Sequence, residues 1–301
     1  ATTLGLGIQH INSGMHHLFG IVENTNVQVT LIAIITIFAT ISVVSGLHKG
    51  VQILSKIASI MIIVLMIFIL VVGPTLFILG STIQSTGYYL QNIISTGTWM
   101  EVYKGTTWMD SWTFFYWGWW FAWAPFVSLF IARISKGRTI KELLIGVVFA
   151  PSAVSILWIS IFGSTAFHIE LFGEGGITAA VNENITTALF SLLEHFPLSY
   201  FSILFVVIAG IIFFVTSSDS GSLVIDFITS GSREKTAVWL RIFWALAEGV
   251  VAATLVYGGG LIALQTGSLV TGLPVCIIML FLCYSILKAL RKYQADSKIK
   301  S

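Results

Sequence analysis

The residues of this chain best suited to chemistry are tryptophans. They lie in Trp112-Thr113-Phe114-Phe115-Tyr116-Trp117-Gly118-Trp119-Trp120-Phe121-Ala122-Trp123-Ala124-Pro125-Phe126. Trp119 and Trp123 are four residues apart, and Trp120 and Trp123 three apart. On a helix those spacings put the rings on one broad face. An aromatic face attracts a cation through its quadrupole, at roughly 0.5–2 kcal/mol per ring. A trimethylammonium group is the cation that most needs such a face, because it carries charge but has no N–H to donate. Several rings replace part of its hydration without a buried carboxylate. Trp is also enriched in belts at the membrane–water interface. Trp99, Trp108 and Trp112 read as such a belt. Trp119, Trp120 and Trp123 lie a turn or more inside the apolar run and read as a cage. Gly118 and Pro125 weaken the helix, and Pro125 has no N–H for the carbonyl one turn back. Broken helices at membrane depth are tolerated mainly where they line a cavity.

A second cluster is Phe213-Phe214-Val215-Thr216-Ser217-Ser218-Asp219-Ser220-Gly221-Ser222. Hydroxyls and free carbonyls are hard oxygen ligands suited to a small cation such as sodium. On spacing alone, Ser and Thr bonding back to their own helix carbonyls is the simpler reading. Asp219 and Asp226, seven apart, suit either an inner gate with Arg133, Arg138 or Arg233, or a solvated inner surface. Glu248 lies inside an apolar run, where a carboxylate is a functional candidate by default. It could carry protons, but pairing with Arg241, seven residues earlier on the same face, is the preferred expectation. His10, His16 and His17 have no acid or Cys to complete a metal site, so packing and hydrogen bonding are expected of them. Cys276 and Cys283 are seven apart on one predicted helix, too far for a disulfide.

The elements that must position these residues are membrane helices. The chain has 301 residues, 56% hydrophobic and 9% charged, against roughly 25% charged in a soluble domain. That much apolar surface needs lipid as solvent. The composition gives no basic run suited to nucleic acid. Apolar runs predict about eight spans, at 1–22, 28–46, 51–79, 112–134, 142–166, 198–218, 237–257 and 261–289, the third ending near Pro74 with a surface helix after it. With a cytoplasmic N-terminus, the inner loops and tail hold fourteen of the fifteen Lys and Arg, and only Lys104 lies outside. This is the positive-inside pattern, and it puts both ends of the chain in the cytoplasm. The expected organisation is a single transmembrane domain over 1–301. It has an outer segment at 80–111, an outer loop with a short amphipathic helix at 167–197, and a basic cytoplasmic tail at 288–301. Either outer segment could lie on the membrane surface or act as a lid. The chain has no initiator Met and opens inside a helical run, so further helices are expected before it. Gly5, Gly7, Gly14 and Gly20 look like small-residue packing positions. Neither a phosphate-binding loop nor a nucleophile–base pair is recognisable, so an enzyme is not expected.

The Trp-rich stretch, continuing through Ile131-Ala132-Arg133-Ile134-Ser135-Lys136-Gly137-Arg138-Thr139-Ile140, closely resembles the signature of the betaine/carnitine/choline transporter family. Leu4-Gly5-Leu6-Gly7-Ile8-Gln9 and Ile11-Asn12-Ser13-Gly14 resemble that family's fifth helix, and Thr216-Ser217-Ser218-Asp219-Ser220 its tenth. The resemblance implies an all-α integral membrane protein with a LeuT-like inverted-repeat transporter core. The chain would then correspond to family helices five to twelve, with the first helices missing.

By the same resemblance, Trp119, Trp120 and Trp123 are the expected substrate-contacting residues, with Trp117 beside them. Phe126 falls near one sodium position. Phe213, Thr216 and Ser217 fall at another, which moves the hydroxyl cluster from back-bonding to ion binding. Asp219 and Arg133 are the gate candidates. Some sodium-independent relatives carry an arginine in the helix matching the third span, whereas residues 57–72 here contain no Lys or Arg. The implied function is secondary active uptake of a quaternary-ammonium solute, glycine betaine first, by sodium symport through the cell membrane. A proton-coupled choline or carnitine transporter is the alternative, and an ion channel or a non-transporting osmosensor are alternatives of other classes. No cofactor beyond the coupling ion is expected, and the family often forms homotrimers.

Overall fold

The computed structural model describes residues 1–45, 48–231 and 237–300, without the side chains of 45, 48–51, 133–134 and 294–300. All regular structure among the described residues is helical. The order is α1 Thr2–Phe19, α2 Thr25–Ser45, α3 His48–Val72 and α4 Thr75–Gly97. A π turn, Met109–Phe114, then leads into α5, Phe115–Ile134. Next come α6 Ile140–Leu144, a second π turn Ile145–Phe149 and α7 Ala150–Phe172. They are followed by the short helices α8 Ile177–Glu183 and α9 Ala188–Glu194, then α10 Ser199–Thr229 and α11 Val238–Lys300.

Six helical runs are long and apolar enough to cross a membrane: Thr25–Val44, Gln52–Val72, Met109–Ala132, Ile140–Phe172, Ser199–Thr229 and Val238–Tyr293. The last is interrupted by non-helical backbone at Gly259 and Gly260, which divides α11 into two arms. Gly260, at φ 55° and ψ −132°, holds a conformation that a side chain would strain. The third expected span ends earlier than the apolar run suggests. The helix stops at Val72, and α4 starts at Thr75 behind Gly73-Pro74, because Pro74 cannot donate to the preceding turn. The expected 198–218 span runs on to Thr229.

α1 is not among the six apolar runs, although it is central to the packing. It lies against α2, α9, α10 and α11. A helix packed among other helices can carry His and Asn, because their N–H groups find partners in protein rather than lipid. Asn12 is fully buried, and its amide donates to the Val22 carbonyl at 3.3 Å. His10 Nδ1 lies 3.3 Å from the Thr186 carbonyl, His16 Nδ1 3.0 Å from the Ile21 carbonyl and His17 Nδ1 2.7 Å from Glu194 Oε1. The histidines therefore hydrogen-bond, as expected of them. Gly5, Gly7 and Gly14 are close-packing positions: a methyl group at each would collide with Leu264, Phe214, and Val207 with Phe190, respectively. Gly20 has a different role. It caps α1 in the left-handed conformation, φ 66°, with its N–H on the His16 carbonyl.

The loop between α7 and α10 settles onto protein, not onto lipid. Phe190, Leu192 and Leu193 of α9 are buried. Asn184 donates to Glu23 Oε2 at 2.8 Å, beside the His17–Glu194 contact. Residues 177–194 thus form a cover over the end of α1. In the other long segment, α4 leans on α7 through a Ser164–Ser81 hydrogen bond of 2.9 Å and the Phe77–His168 ring contact.

Candidate functional site

The aromatic face is held by a hydroxyl at the start of α1. Trp119 Nε1–H and Trp123 Nε1–H both donate to Thr3 Oγ1, at 3.1 and 2.9 Å. A hydroxyl oxygen has two acceptor sites, so one Thr satisfies two indoles that are one helical turn apart. The other side of α5 presses on α11 at Gly118 and Gly272, where a methyl on Gly272 would collide with the Gly118 carbonyl. The ring of Trp119 stacks on Phe115, centroids 5.6 Å apart, and Trp123 meets Phe126 edge-on at 5.3 Å. α5 runs without a break through Pro125. The expected weak point is therefore a missing hydrogen bond inside an intact helix rather than an unwound segment.

α1, α5, α10 and α11 line a half-open cavity of about 300 Å³. Its walls include Thr3, Trp123, Phe126, Phe214, Ser217 and Glu248. On α10 the lining residues Phe214, Ser217, Ser218, Gly221, Ile225 and Ile228 recur at three- and four-residue steps, which is one helix face. A larger open groove of about 1320 Å³ lies on the other side of α5, against α4 and the α6–α7 run, and Trp120 and Tyr89 line it. Trp123 lines both spaces and forms part of the wall between them. At the rim of the groove, α6 begins with a reciprocal cap. Thr139 N–H donates to Glu142 Oε2 at 2.9 Å, and Glu142 N–H to Thr139 Oγ1 at 3.3 Å.

The structure separates the expected residues into groups. Trp119 and Trp123 turn inward to Thr3, whereas Trp120 faces the groove and is 67% exposed. Trp117 lies on the outer side of α5 against Phe121, at 5.7 Å, and lines neither space. Of the ion candidates, Phe126 and Ser217 share the cavity. Thr216 is buried beside it and donates to the Phe213 carbonyl at 3.0 Å. Ser220 and Ser222 bond back to the Thr216 and Ser218 carbonyls. Ser217 makes no hydrogen bond among the described residues, so its hydroxyl is available to the cavity. Asp219 is buried, and the side chain of its expected gate partner Arg133 lies outside the described residues.

One expectation about charge is corrected. Glu248 does not pair with Arg241. It accepts from the Ser218 hydroxyl at 3.1 Å, and Oε1 lies 3.2 Å from the nitrogen of Ala1. Arg241 reaches across to Asp226 instead, Nε to Oδ2 3.4 Å. The same-face spacing of 241 and 248 was true but insufficient, because each side chain met a closer partner on α10. Thr3 is the site residue that spacing arguments missed. Nothing local marks Thr3, since its role depends on a helix more than a hundred residues away.

The fold and site define a multi-pass helical membrane protein with an aromatic and hydroxyl-lined cavity between packed helices. The chain belongs to the BCCT family, the betaine/carnitine/choline family transporters, whose family model matches residues 1–295. Members of this family are transporters, not enzymes. A glycine betaine transporter of Acinetobacter baylyi is 38% identical over 97% of this chain and 44% of its own length. A glycine betaine transporter of Bacillus subtilis is 39% identical over 99% of this chain and 58% of its own. A glycine betaine/proline/choline/ectoine transporter of Vibrio parahaemolyticus is 41% identical over 97% of this chain and 52% of its own. The chain thus spans about half the length of the curated relatives it matches.

Proposed function

We propose that the protein carrying this chain is a secondary active transporter that takes up glycine betaine by sodium symport across the cell membrane. The observation that carries this reading is the position of Trp123. It stands between a groove into which Trp120 and Tyr89 face and a cavity where Ser217 presents a hydroxyl unused among the described residues. Coupling two solutes requires that the state of one site be felt at the other, and a shared wall is a direct route for that. On this reading Trp120 and Trp123 hold the trimethylammonium group by their faces, and Trp119 supports them through Thr3. Ser217 and Phe126 border the ion. Thr216 and Phe213, hydrogen-bonded to each other beside the cavity, complete the ion region. Asp219 and Arg133 form the inner gate, both ends of the chain are cytoplasmic, and the core has the LeuT-like inverted repeat. The assembly is a homotrimer. The named substrates of the relatives above support a betaine-type solute, and the absence of Lys and Arg from residues 57–72 supports sodium.

The test is uptake of labelled glycine betaine, choline and carnitine into proteoliposomes of the full-length protein, with and without an inward sodium gradient. Saturable betaine accumulation that needs the gradient is expected, and Trp120→Ala should abolish it while membrane insertion persists. Accumulation driven equally well by a proton gradient alone would sink the sodium assignment. Unsaturable flux with single-channel currents would make the protein a channel.

A further inference from the structure

We propose that Glu248 is a positioning residue. Its carboxylate on α11 fixes the rotation of α10 so that the Ser217 hydroxyl faces the ion cavity. This rests on the ion-site reading of Ser217 given above.

A carboxylate inside a membrane-spanning helix is costly unless something compensates it. Among the described residues no Lys or Arg side chain reaches Glu248, since Arg241 is engaged with Asp226. What reaches it from α10 is the Ser218 hydroxyl at 3.1 Å. Gly221, one turn along the same face of α10, leaves room for it: a methyl there would stand 3.4 Å from Oε2. A leucine would fill this volume more cheaply, so packing does not account for the acid. A hydrogen bond to a carboxylate does, because it is directional and an ionised acceptor makes it stronger than a neutral one.

The geometry of α10 converts that bond into control of its neighbour. Successive helical residues point about 100° apart. With Ser218 tied to α11, Ser217 has only one direction available, and that direction is the cavity wall. The other hydroxyls of the cluster cannot supply the same restraint. Thr216, Ser220 and Ser222 bond within α10, and a bond inside a helix leaves the helix free to rotate against its neighbours. Ser218 is the hydroxyl of the cluster seen to bond across to α11.

The experiment uses the full-length protein in proteoliposomes with Glu248→Gln, Glu248→Leu, Ser218→Ala and the double variant Glu248→Leu/Ser218→Ala. Glu248→Leu and Ser218→Ala should each raise the sodium concentration for half-maximal uptake about tenfold, with the maximal rate retained. The double variant should be no worse than either single one, and Glu248→Gln, which keeps an acceptor oxygen but loses the charge, should fall between wild type and Glu248→Leu. Additive effects, or a Gln variant as impaired as the Leu variant, would overturn the proposal. Should Glu248→Leu fail to insert, Ser218→Ala carries the same comparison. A readout independent of sodium separates this inference from the coupling assignment: the rate of thiol alkylation at Ser217→Cys. Glu248→Leu should change that rate several-fold even if wild-type uptake ignores sodium, and an unchanged rate would refute the positioning role.

Discussion

At the scale of single residues, the decisive atom is one hydroxyl oxygen. Thr3 Oγ1 accepts from both Trp119 and Trp123, which are half-buried indoles. Losing the acceptor leaves two donors without partners, at about 1–3 kcal/mol each. Thr3→Val keeps the shape of the side chain and removes the oxygen, so it should lower the thermal unfolding midpoint in detergent and weaken solute binding. Thr3→Ser should restore both, because only the hydroxyl matters to the indoles. Equal midpoints for wild type and Thr3→Val would show that the indoles find other acceptors. The exposed ring of Trp120 has no hydrogen-bond partner among the described residues, so it loses none by turning toward the groove.

At the scale of elements, close approach is set by glycine. α1 carries Gly5, Gly7 and Gly14 where Leu264, Phe214 and Val207 press against it. Phe214 also lines the cavity, so the contact at Gly7 sets both helix spacing and cavity shape. Gly7→Ala should force the Phe214 ring to move, at about 1–3 kcal/mol for an overpacked site. A lowered unfolding midpoint is the expected reading, with partial recovery on adding Phe214→Leu, which vacates the space. A Gly7→Ala protein as stable as wild type would mean that the ring has somewhere else to go. α9 illustrates the converse. Its apolar face resembles that of a surface helix, but Phe190, Leu192 and Leu193 bury against the protein. The loop therefore covers α1 instead of floating on lipid.

At the scale of the whole molecule, polar ties lie before α10 and near its end. Before its start, the loop cover is fastened to His17 of α1 through Glu194 and to Glu23, in the turn after α1, through Asn184. Near its end, Asp226 of α10 is paired with Arg241 of α11. The cavity lies along the second half of α10, from Phe214 to Ile228, beside the Ser218–Glu248 hydrogen bond. The proposed orientation, with both ends of the chain cytoplasmic, rests on the distribution of Lys and Arg. Exposed Lys104 should face outward and exposed Arg138 inward. In a background with Cys276 and Cys283 replaced, Lys104→Cys should react with an impermeant thiol reagent on intact cells. Arg138→Cys should react only after permeabilisation. The reverse pattern would invert the topology.

What the sequence determined by itself was whatever depends on local composition and periodicity. The long apolar runs, the stop near Pro74 and the clustering of tryptophans on one helix were legible because neighbours along the chain decide them. Tertiary structure decided which face of each helix met which partner. It turned Trp119 and Trp123 toward Thr3, sent Trp120 to the groove and left Trp117 outside. It also gave Arg241 to Asp226 and Glu248 to Ser218, where helical spacing had suggested pairing the two with each other. The physical reason is that one helix offers many equivalent faces to its own sequence. Only the hydrogen bonds and close contacts made by the helices packed around it select among them.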